Sequence, residues 1–232
     1  MFEQMNNNKV HLQGKIVSLP RLSHKVYDEN FYEIDLEVSR LSSSVDVIPI
    51  TVSEKLMSEY NFDIGKEISL NGQFRSYNKQ VNGKSKLVLT VFVREILDSL
   101  DSTQNTNVIE LVGFICKEPV FRTTPFKREI CDVLLAVNRA YNKSDYLPCI
   151  AWGRNARFTK SLEIGDKVSV VGRIQSREYE KKREDGVVEK KVAYEISIIK
   201  ISKGDVANNT FVEPNVLYAQ QTNDTTNWQG AN

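Results

Sequence analysis

The sequence repeats itself about one hundred residues further along. The stretch FDIGKEISLNGQFRS at 62–76 returns as LEIGDKVSVVGRIQS at 162–176, and EIDLEVSR at 33–40 returns as DVLLAVNR at 132–139. The offset is 99 residues for the earlier pair and 100 for the later one. So constant an offset predicts duplication of a whole domain, which divides the 232 residues into two units of ordinary domain size.

Both halves show the patterning of a mainly β protein. Short runs rich in Val, Ile, Leu and Phe, separated by Gly and Asn, predict five strands in each half. EKLMSEYNF and NARFTKSL, which have apolar residues at helical spacing, fall between the third and fourth strands. This order is typical of the OB-fold, so we expect two tandem five-stranded OB-fold barrels, each with a short helix between strands 3 and 4.

The boundaries follow from composition. We predict a first barrel over 1–97, a linker over 98–107, a second barrel over 108–203 and a disordered tail over 204–232. The linker, DSLDSTQNTN, is polar and lacks apolar periodicity. The tail is rich in Asn, Thr and Gln and contains no Lys or Arg, a composition that cannot form a core.

Charge is distributed unevenly along the chain. The overall net charge is +1, but it divides into −2 for residues 1–107, +6 for 108–204 and −3 for 205–232. A basic segment of this kind is expected where a protein grips a polyanion. No apolar run approaches the ~18–20 residues of a membrane span, and the start lacks a secretory signal. We therefore expect a cytoplasmic protein.

The sequence offers no pattern typical of an enzyme, and we expect no catalytic residues. Cys116, Cys131 and Cys149 lie in strand-like segments without a CxxC pair, and the chain has two His, so neither a metal site nor any cofactor is expected. The sequence NGKSK at 82–86 ends like a phosphate-binding loop, but an Asn-Gly hairpin turn explains it better.

Aromatic and basic residues alternate in the second half. Tyr146 and Trp152 are six residues apart on one predicted strand, so period two places both rings on the same face. Rings that stack on bases, with Lys and Arg that follow phosphates, are what a single-stranded nucleic acid requires. The predicted contact residues are Tyr141, Tyr146, Trp152, Tyr179, Arg122, Arg139, Arg154, Arg157, Arg173, Arg177, Lys181, Lys182 and Arg183, with Tyr77 from the first half.

The second half resembles a known family. NVIELVGFICKEPVFR, YLPCIAWGRNARF and LEIGDKVSVVGRIQSREYE, within 107–202, are similar to the bacterial and phage single-stranded DNA-binding proteins of the OB-fold family. The resemblance implies a nucleoid-associated protein that binds single-stranded DNA during replication, recombination or repair. It places Tyr141, Tyr146, Trp152 and Tyr179 at base-stacking positions and Arg154 at a basic one. It also implies four OB-folds per functional unit, hence a homodimer.

The first half lacks this set of aromatic residues. At the four matching positions it has Ser42, Val47, Ser53 and Lys79, and we expect it to act as a scaffold, to dimerise or to extend the groove. Two other functions remain open: an assembly factor of the primosome or recombination-mediator kind, and a single-stranded RNA-binding protein. The end, TTNWQGAN, lacks the acidic run and terminal Pro-Phe with which the family recruits replication and repair proteins, so partners at the tail also remain open.

Overall fold

The computed structural model describes residues 6–40, 42, 44–81, 83–97, 100, 106–182 and 188–204. The first half contains β1 Asn8–Ile16, β2 Arg21–Val26, β3 Glu29–Ser39, β4 Val45–Ser53, α1 Glu54–Glu59, β5 Glu67–Val81 and β6 Lys84–Leu97. The second contains β7 Asn107–Ile115, β8 Val120–Thr123, β9 Glu129–Arg139, β10 Lys143–Trp152, α2 Arg154–Thr159, β11 Lys167–Lys182 and β12 Val188–Lys203. Most of the predicted linker, and the predicted tail from residue 205, lie outside the described residues.

Each half curls into a barrel of the expected kind. β1 is antiparallel to both β3 and β5, and β4 closes on β6 through a short parallel pairing. The second half repeats this with β7, β9 and β11, and with β10 on β12. The predictions of a mainly β fold and of one short helix per half are confirmed, with α1 and α2 in the expected places.

The predicted count of five strands per half is wrong for the described residues, which have six. The additional strands, β2 and β8, fold back along the start of β3 and β9. β2 is exposed along nearly its whole length, so no apolar alternation indicates it in the sequence. A tight turn at Tyr27 and Asp28, both with positive φ, joins β2 to β3.

Repeated glycines mark close contacts between strands. A Cβ on Gly72 would lie 2.5 Å from the carbonyl oxygen of Phe92, and one on Gly172 would lie 2.6 Å from that of Ser197. Any side chain at these positions would push the strands apart where each barrel bends. The repeated Gly therefore encodes the barrel frame.

The two halves are joined edge to edge. β1 pairs antiparallel with β7, and Val10 lies opposite Ile109, its equivalent at an offset of 99. Pairing of equivalent residues places a pseudo-twofold axis at this point, and all twelve strands form one continuous sheet. Buried residues from both halves share one large apolar cluster.

Two matched contacts fix the halves further. Asp46 in β4 accepts hydrogen bonds from Arg40 and from the backbone N–H of Ser176 in β11. Its equivalent Asp145 accepts one from the backbone N–H of Ser76 in β5 at 2.7 Å and pairs with Arg139. The long β5–β6 and β11–β12 hairpins therefore each pack across the end of the other barrel.

Candidate nucleic-acid interface

Trp152 stands in a basic groove at the end of β10. Its side chain is 39% exposed. Gly153, with φ of 52°, follows the strand and is the N-cap residue of α2. The groove has a volume of about 540 Å³. It is lined by Thr123, Lys127, Arg128, Glu129, Trp152, Gly153 and Arg157. An open indole ring among three cations and one carboxylate suits a base with its flanking phosphates.

The β8–β9 turn supplies most of the charge of this groove. Its backbone is closed by hydrogen bonds from Lys127 N–H to Thr124 O at 2.8 Å and from Thr124 N–H to Arg128 O at 2.9 Å. Phe126 at the tip is 87% exposed. Sequence reasoning missed these residues, although an aromatic followed by Lys-Arg in TTPFKRE is a usable signal.

The equivalent turn in the first half has the opposite charge. Tyr27 matches Phe126 and is fully exposed, but the next residues are Asp28 and Glu29 where the second half has Lys127 and Arg128. The first-half turn therefore lacks the electrostatic attraction for a polyanion that the second-half turn has.

Tyr146 corrects the expectation of two open rings on one face. Its side chain is only 6% exposed and packs with Cys116 and Ala136, with Leu134 alongside. Its backbone N–H donates to Ser76 Oγ of the first half at 2.8 Å. Tyr146 shares a strand face with Trp152, as predicted, but the junction of the two halves covers it. It is therefore not open to a base in this structure.

The other two predicted rings are more accessible. Tyr141, on the β9–β10 turn, is 81% exposed and has a positive φ of 61°. Tyr179, on β11, is half-buried, and the guanidinium of Arg177 lies 5.9 Å from its ring centroid. Burial lowers the pKa of Arg177.

Three of the predicted phosphate ligands are already paired. Arg122 Nε donates to Asp132 at 2.8 Å, and Arg157 Nε donates to Glu129 at 2.6 Å. Arg139 lies 3.4 Å from Asp145, which is fully buried, so Arg139 contributes to the junction, and its role as a phosphate ligand stays a prediction. The Arg122 and Arg139 pairs form because carboxylates on neighbouring strands lie within reach, and the Arg157 pair joins α2 to β9.

The remaining basic residues are distributed as follows. Arg154 and Lys181 are exposed, and Arg173 is half-buried. Among the described residues, none forms a hydrogen bond or ion pair with Arg154. Lys182 ends β11, but its side chain, like the whole of Arg183, lies outside the described residues.

The first half carries an aromatic cluster of its own, which sequence reasoning missed. The rings of His24 and Phe31 are stacked at 5.0 Å, and Phe31 lies 5.6 Å from Phe92. The guanidinium of Arg75 lies 4.2 Å above Phe92, and that of Arg94 lies 5.3 Å from it. These rings occupy β2, β3 and β6, not the positions where the second half has its tyrosines, so matching the repeats did not find them.

Tyr77 lies beside this cluster. It is half-buried, its ring centroid is 6.4 Å from that of His24, and burial raises its pKa. As expected, Ser42, Val47, Ser53 and Lys79 give the first half no ring at the four matched positions.

The cysteines are buried. Burial raises the pKa of Cys116 to about 12 and that of Cys131 to about 11, so both stay as thiols. Within the described ranges no group of His, Cys, Asp and Glu is placed to hold a metal ion. In the same ranges no helix has the length and apolarity to cross a membrane.

Comparison with known proteins identifies relatives of the second half. The model of the single-strand binding protein family matches residues 106–203. Single-stranded DNA-binding protein B of Bacillus subtilis (strain 168) is 38% identical over 88 residues, which are 35% of this chain and 76% of that protein. Single-stranded DNA-binding protein 1 of Staphylococcus aureus (strain COL) is 36% identical over 81 residues, and the match spans about half of it, 48%.

Solved structures extend the likeness to the first half. The crystal structure of the wild-type single-stranded DNA binding protein from Thermus aquaticus matches with a TM-score of 0.69 at 17% identity. The match covers 88% of this chain and 96% of that one. At this identity the likeness shows the fold alone, and it shows it for both halves.

Proposed function

Because the chain belongs to the single-strand binding protein family, we propose that it binds single-stranded DNA without sequence preference and holds it chiefly on its second half. Bases stack on open rings there, and phosphates meet Lys and Arg side chains. Such binding would protect single strands during replication, recombination or repair. No catalytic step is part of this proposal.

One observation carries the proposal: Trp152 is an open ring surrounded by Lys127, Arg128 and Arg157 in a single groove. A Trp that served the core would be enclosed by apolar side chains and covered, as Tyr146 is. The positive charge is specific to the second half, because the equivalent first-half turn has Asp28 and Glu29 in place of Lys127 and Arg128. Of the two equivalent turns, the second-half one therefore combines positive charge with an open ring in the neighbouring groove.

The test is a fluorescence titration of the full chain. The sequence contains two Trp, so Trp228→Phe leaves Trp152 as the sole indole reporter. Oligo-dT, oligo-rU and a duplex of equal length are titrated at several salt concentrations. We expect quenching and tight binding with oligo-dT, much weaker binding with duplex, and affinity that falls steeply with salt.

The comparison among the three titrants decides between the functions. Preference for oligo-rU would assign the protein to RNA. Equal affinity for the duplex would contradict stacking as the basis of binding. No affinity for any of the three would leave only protein contacts, as in an assembly factor.

A further inference from the structure

The first half contains an unusual concentration of positive charge around one ring. We name Gln73, Arg75, Phe92 and Arg94 the arginine–phenylalanine cluster. Arg75 and Arg94 both lie over Phe92, and both donate to the same oxygen, Gln73 Oε1, at 2.8 and 3.2 Å. Two guanidinium groups thus share one neutral acceptor.

No carboxylate among the described residues neutralises the pair. Glu95, next to Arg94 in the chain, accepts a hydrogen bond from Asn71 instead, at 2.6 Å. The acid that acts on Arg75 is Asp145 across the junction, and that group is already bound by Ser76 and paired with Arg139. This region therefore has two more positive than negative charges, since one carboxylate, Asp145, lies near three arginines, Arg75, Arg94 and Arg139.

Arg75 also has an unsatisfied donor. Its Nε is buried and finds no hydrogen-bond partner in the described part of the chain. Burial, with the nearby charges of Arg94 and Arg139, lowers the pKa of Arg75 to about 10. A buried donor without an acceptor costs about 1–3 kcal/mol. Because this Nε has no exposed surface, an anion would contact the terminal N–H groups of half-buried Arg75 and the exposed side chain of Arg94 instead.

The second half has lost this arrangement. At the positions of Gln73, Arg75 and Phe92 it has Arg173, Gln175 and Ser197, as the strand registers show. Gln175, at the position of Arg75, donates to Glu195 at 2.6 Å, so a neutral side chain bound to an acid replaces that arginine. The cluster is therefore peculiar to the first half and is not part of the repeated barrel frame.

The cluster lies next to the junction between the two halves. Ser76, the residue after Arg75, contacts both Asp145 and Tyr146 of β10. The turn that leads into β10 displays Tyr141 at 81% exposure. Trp152 ends β10 and this turn precedes its start, so a strand held at Trp152 would run the length of β10 before it reached the junction beside Arg75.

We propose that the arginine–phenylalanine cluster binds a phosphate of the same single strand that the second half holds, so that one strand runs across both halves. Arginine forks match phosphate oxygens with two parallel hydrogen bonds, and Phe92 fixes the orientation of both forks. This inference rests on the proposed function, because it needs a strand that is already bound.

The test compares two double variants of the full chain, each built on Trp228→Phe. Arg75→Gln with Arg94→Gln removes the cluster's charge. Lys25→Gln with Lys55→Gln is the matched control, since it removes two exposed first-half cations that pair with Asp28 and Glu59. Oligo-dT of about 10 nucleotides fits one barrel, and one of about 35 spans both. Thermal melting checks that each variant folds.

We expect the cluster variant to bind the long oligonucleotide about tenfold more weakly, with a log–log salt slope reduced by about 0.7 for each phosphate that the protein no longer neutralises. Binding of the short one should match the control. Arg94→Gln alone, at an exposed position, should show part of the same effect even if the double variant folds poorly. Equal losses for both lengths, or no difference from the control, would overturn the proposal.

Two further outcomes distinguish failure of the proposed function from failure of this inference. If the parent does not bind either oligonucleotide, the proposed function fails, and with it the premise of this inference. If poly-glutamate binds the parent more tightly than oligo-dT and loses that affinity in the cluster variant, the cluster serves an acidic protein and the proposal is overturned.

Discussion

At the scale of single residues, the same kind of side chain serves different purposes on one strand face. Tyr146 and Trp152 are both on the outer face of β10, yet 6% of the first and 39% of the second is exposed. The difference arises because the β5–β6 hairpin of the first half covers one end of the strand and leaves the other end open. Aromatic spacing alone does not distinguish the two.

We predict that alanine at Trp152 affects chiefly binding and that alanine at Tyr146 affects chiefly stability. Trp152→Ala should weaken oligo-dT binding by about 1–3 kcal/mol, because one stacking ring is removed, and leave thermal melting nearly unchanged. Tyr146→Ala should lower the free energy of unfolding by about 3 kcal/mol, the scale for removing a buried aromatic. Binding is measured by fluorescence polarisation of labelled oligonucleotide and stability by urea denaturation. Equal stability losses would contradict the assignment.

Tyr77→Ala is the comparison from the first half. The ring is half-buried beside His24, whereas the more exposed Trp152 ring lies in the basic groove. We expect it to reduce oligo-dT affinity less than Trp152→Ala does, measured in the same assay. A larger loss at Tyr77, with melting unchanged, would move the principal stacking contact to the first half.

The two junction aspartates are expected to differ in pH dependence. Burial alone would raise the pKa of Asp46, but hydrogen bonds from Arg40 and Ser176 more than offset this and hold the pKa below its usual value. Burial raises the pKa of Asp145, and Arg139 and Ser76 offset that only in part. A lowered pKa stabilises the fold above the unfolded value near 3.8, and this stabilisation is lost as pH falls through the folded value.

Asp46→Asn should therefore cost about 1.5–3 kcal/mol at pH 7, the scale of a hydrogen bond to a charged group. The cost should shrink only below about pH 3.8, as the pH falls through the lowered folded pKa of Asp46. Asp145→Asn should cost less at pH 7, because folding disfavours the charged form of Asp145 in the parent. The parent gains stability as pH falls and Asp145 becomes protonated. Urea denaturation at pH 7, 5 and 3 measures both. A larger cost for Asp145→Asn at pH 7 would contradict the stated directions.

At the scale of elements, the tip of the β8–β9 hairpin brings the positive charges of Lys127 and Arg128 to the Trp152 groove. The two equivalent turns differ in length, with two residues between β2 and β3 and five between β8 and β9, and they share a positive φ at Asp28 and Lys127. Their charges are opposite, so the turn can diverge in function without any change in the barrel beneath it.

Lys127→Gln with Arg128→Gln should reduce affinity for all oligonucleotide sequences alike, because phosphate contacts carry no base information. The log–log salt slope should become shallower by about 0.7 for each phosphate released from these side chains. Lys15→Gln with Lys66→Gln, at two exposed first-half positions, is the control of equal charge. Filter binding from low to moderate salt gives both quantities, and an unchanged slope would remove this turn from the interface.

At the scale of the whole molecule, the two barrels are not independent. Splitting the chain between them would expose the edges of β1 and β7 and break both aspartate contacts. Free strand edges promote association with other chains. The contribution of each half to binding is therefore better measured with substitutions in the full chain than with isolated halves.

We predict a homodimer in solution. The pseudo-twofold pairing of β1 with β7 already gives two barrels per chain, and the family resemblance implies four per functional unit. Multi-angle light scattering at micromolar concentration should give twice the chain mass of 26.5 kDa. A mass equal to one chain would contradict the prediction.

The sequence by itself determined the duplication, the mainly β class, the position of each helix and the basic second half. These are local or periodic signals: apolar alternation, helical spacing, and Gly72 and Gly172 where strands nearly touch. It did not indicate β2 and β8, because exposed strands that pair only with a neighbour need no apolar pattern. Nor did it reveal the burial of Tyr146 or the arginine–phenylalanine cluster. Both depend on how the β5–β6 hairpin packs, which residues far apart in the chain decide together.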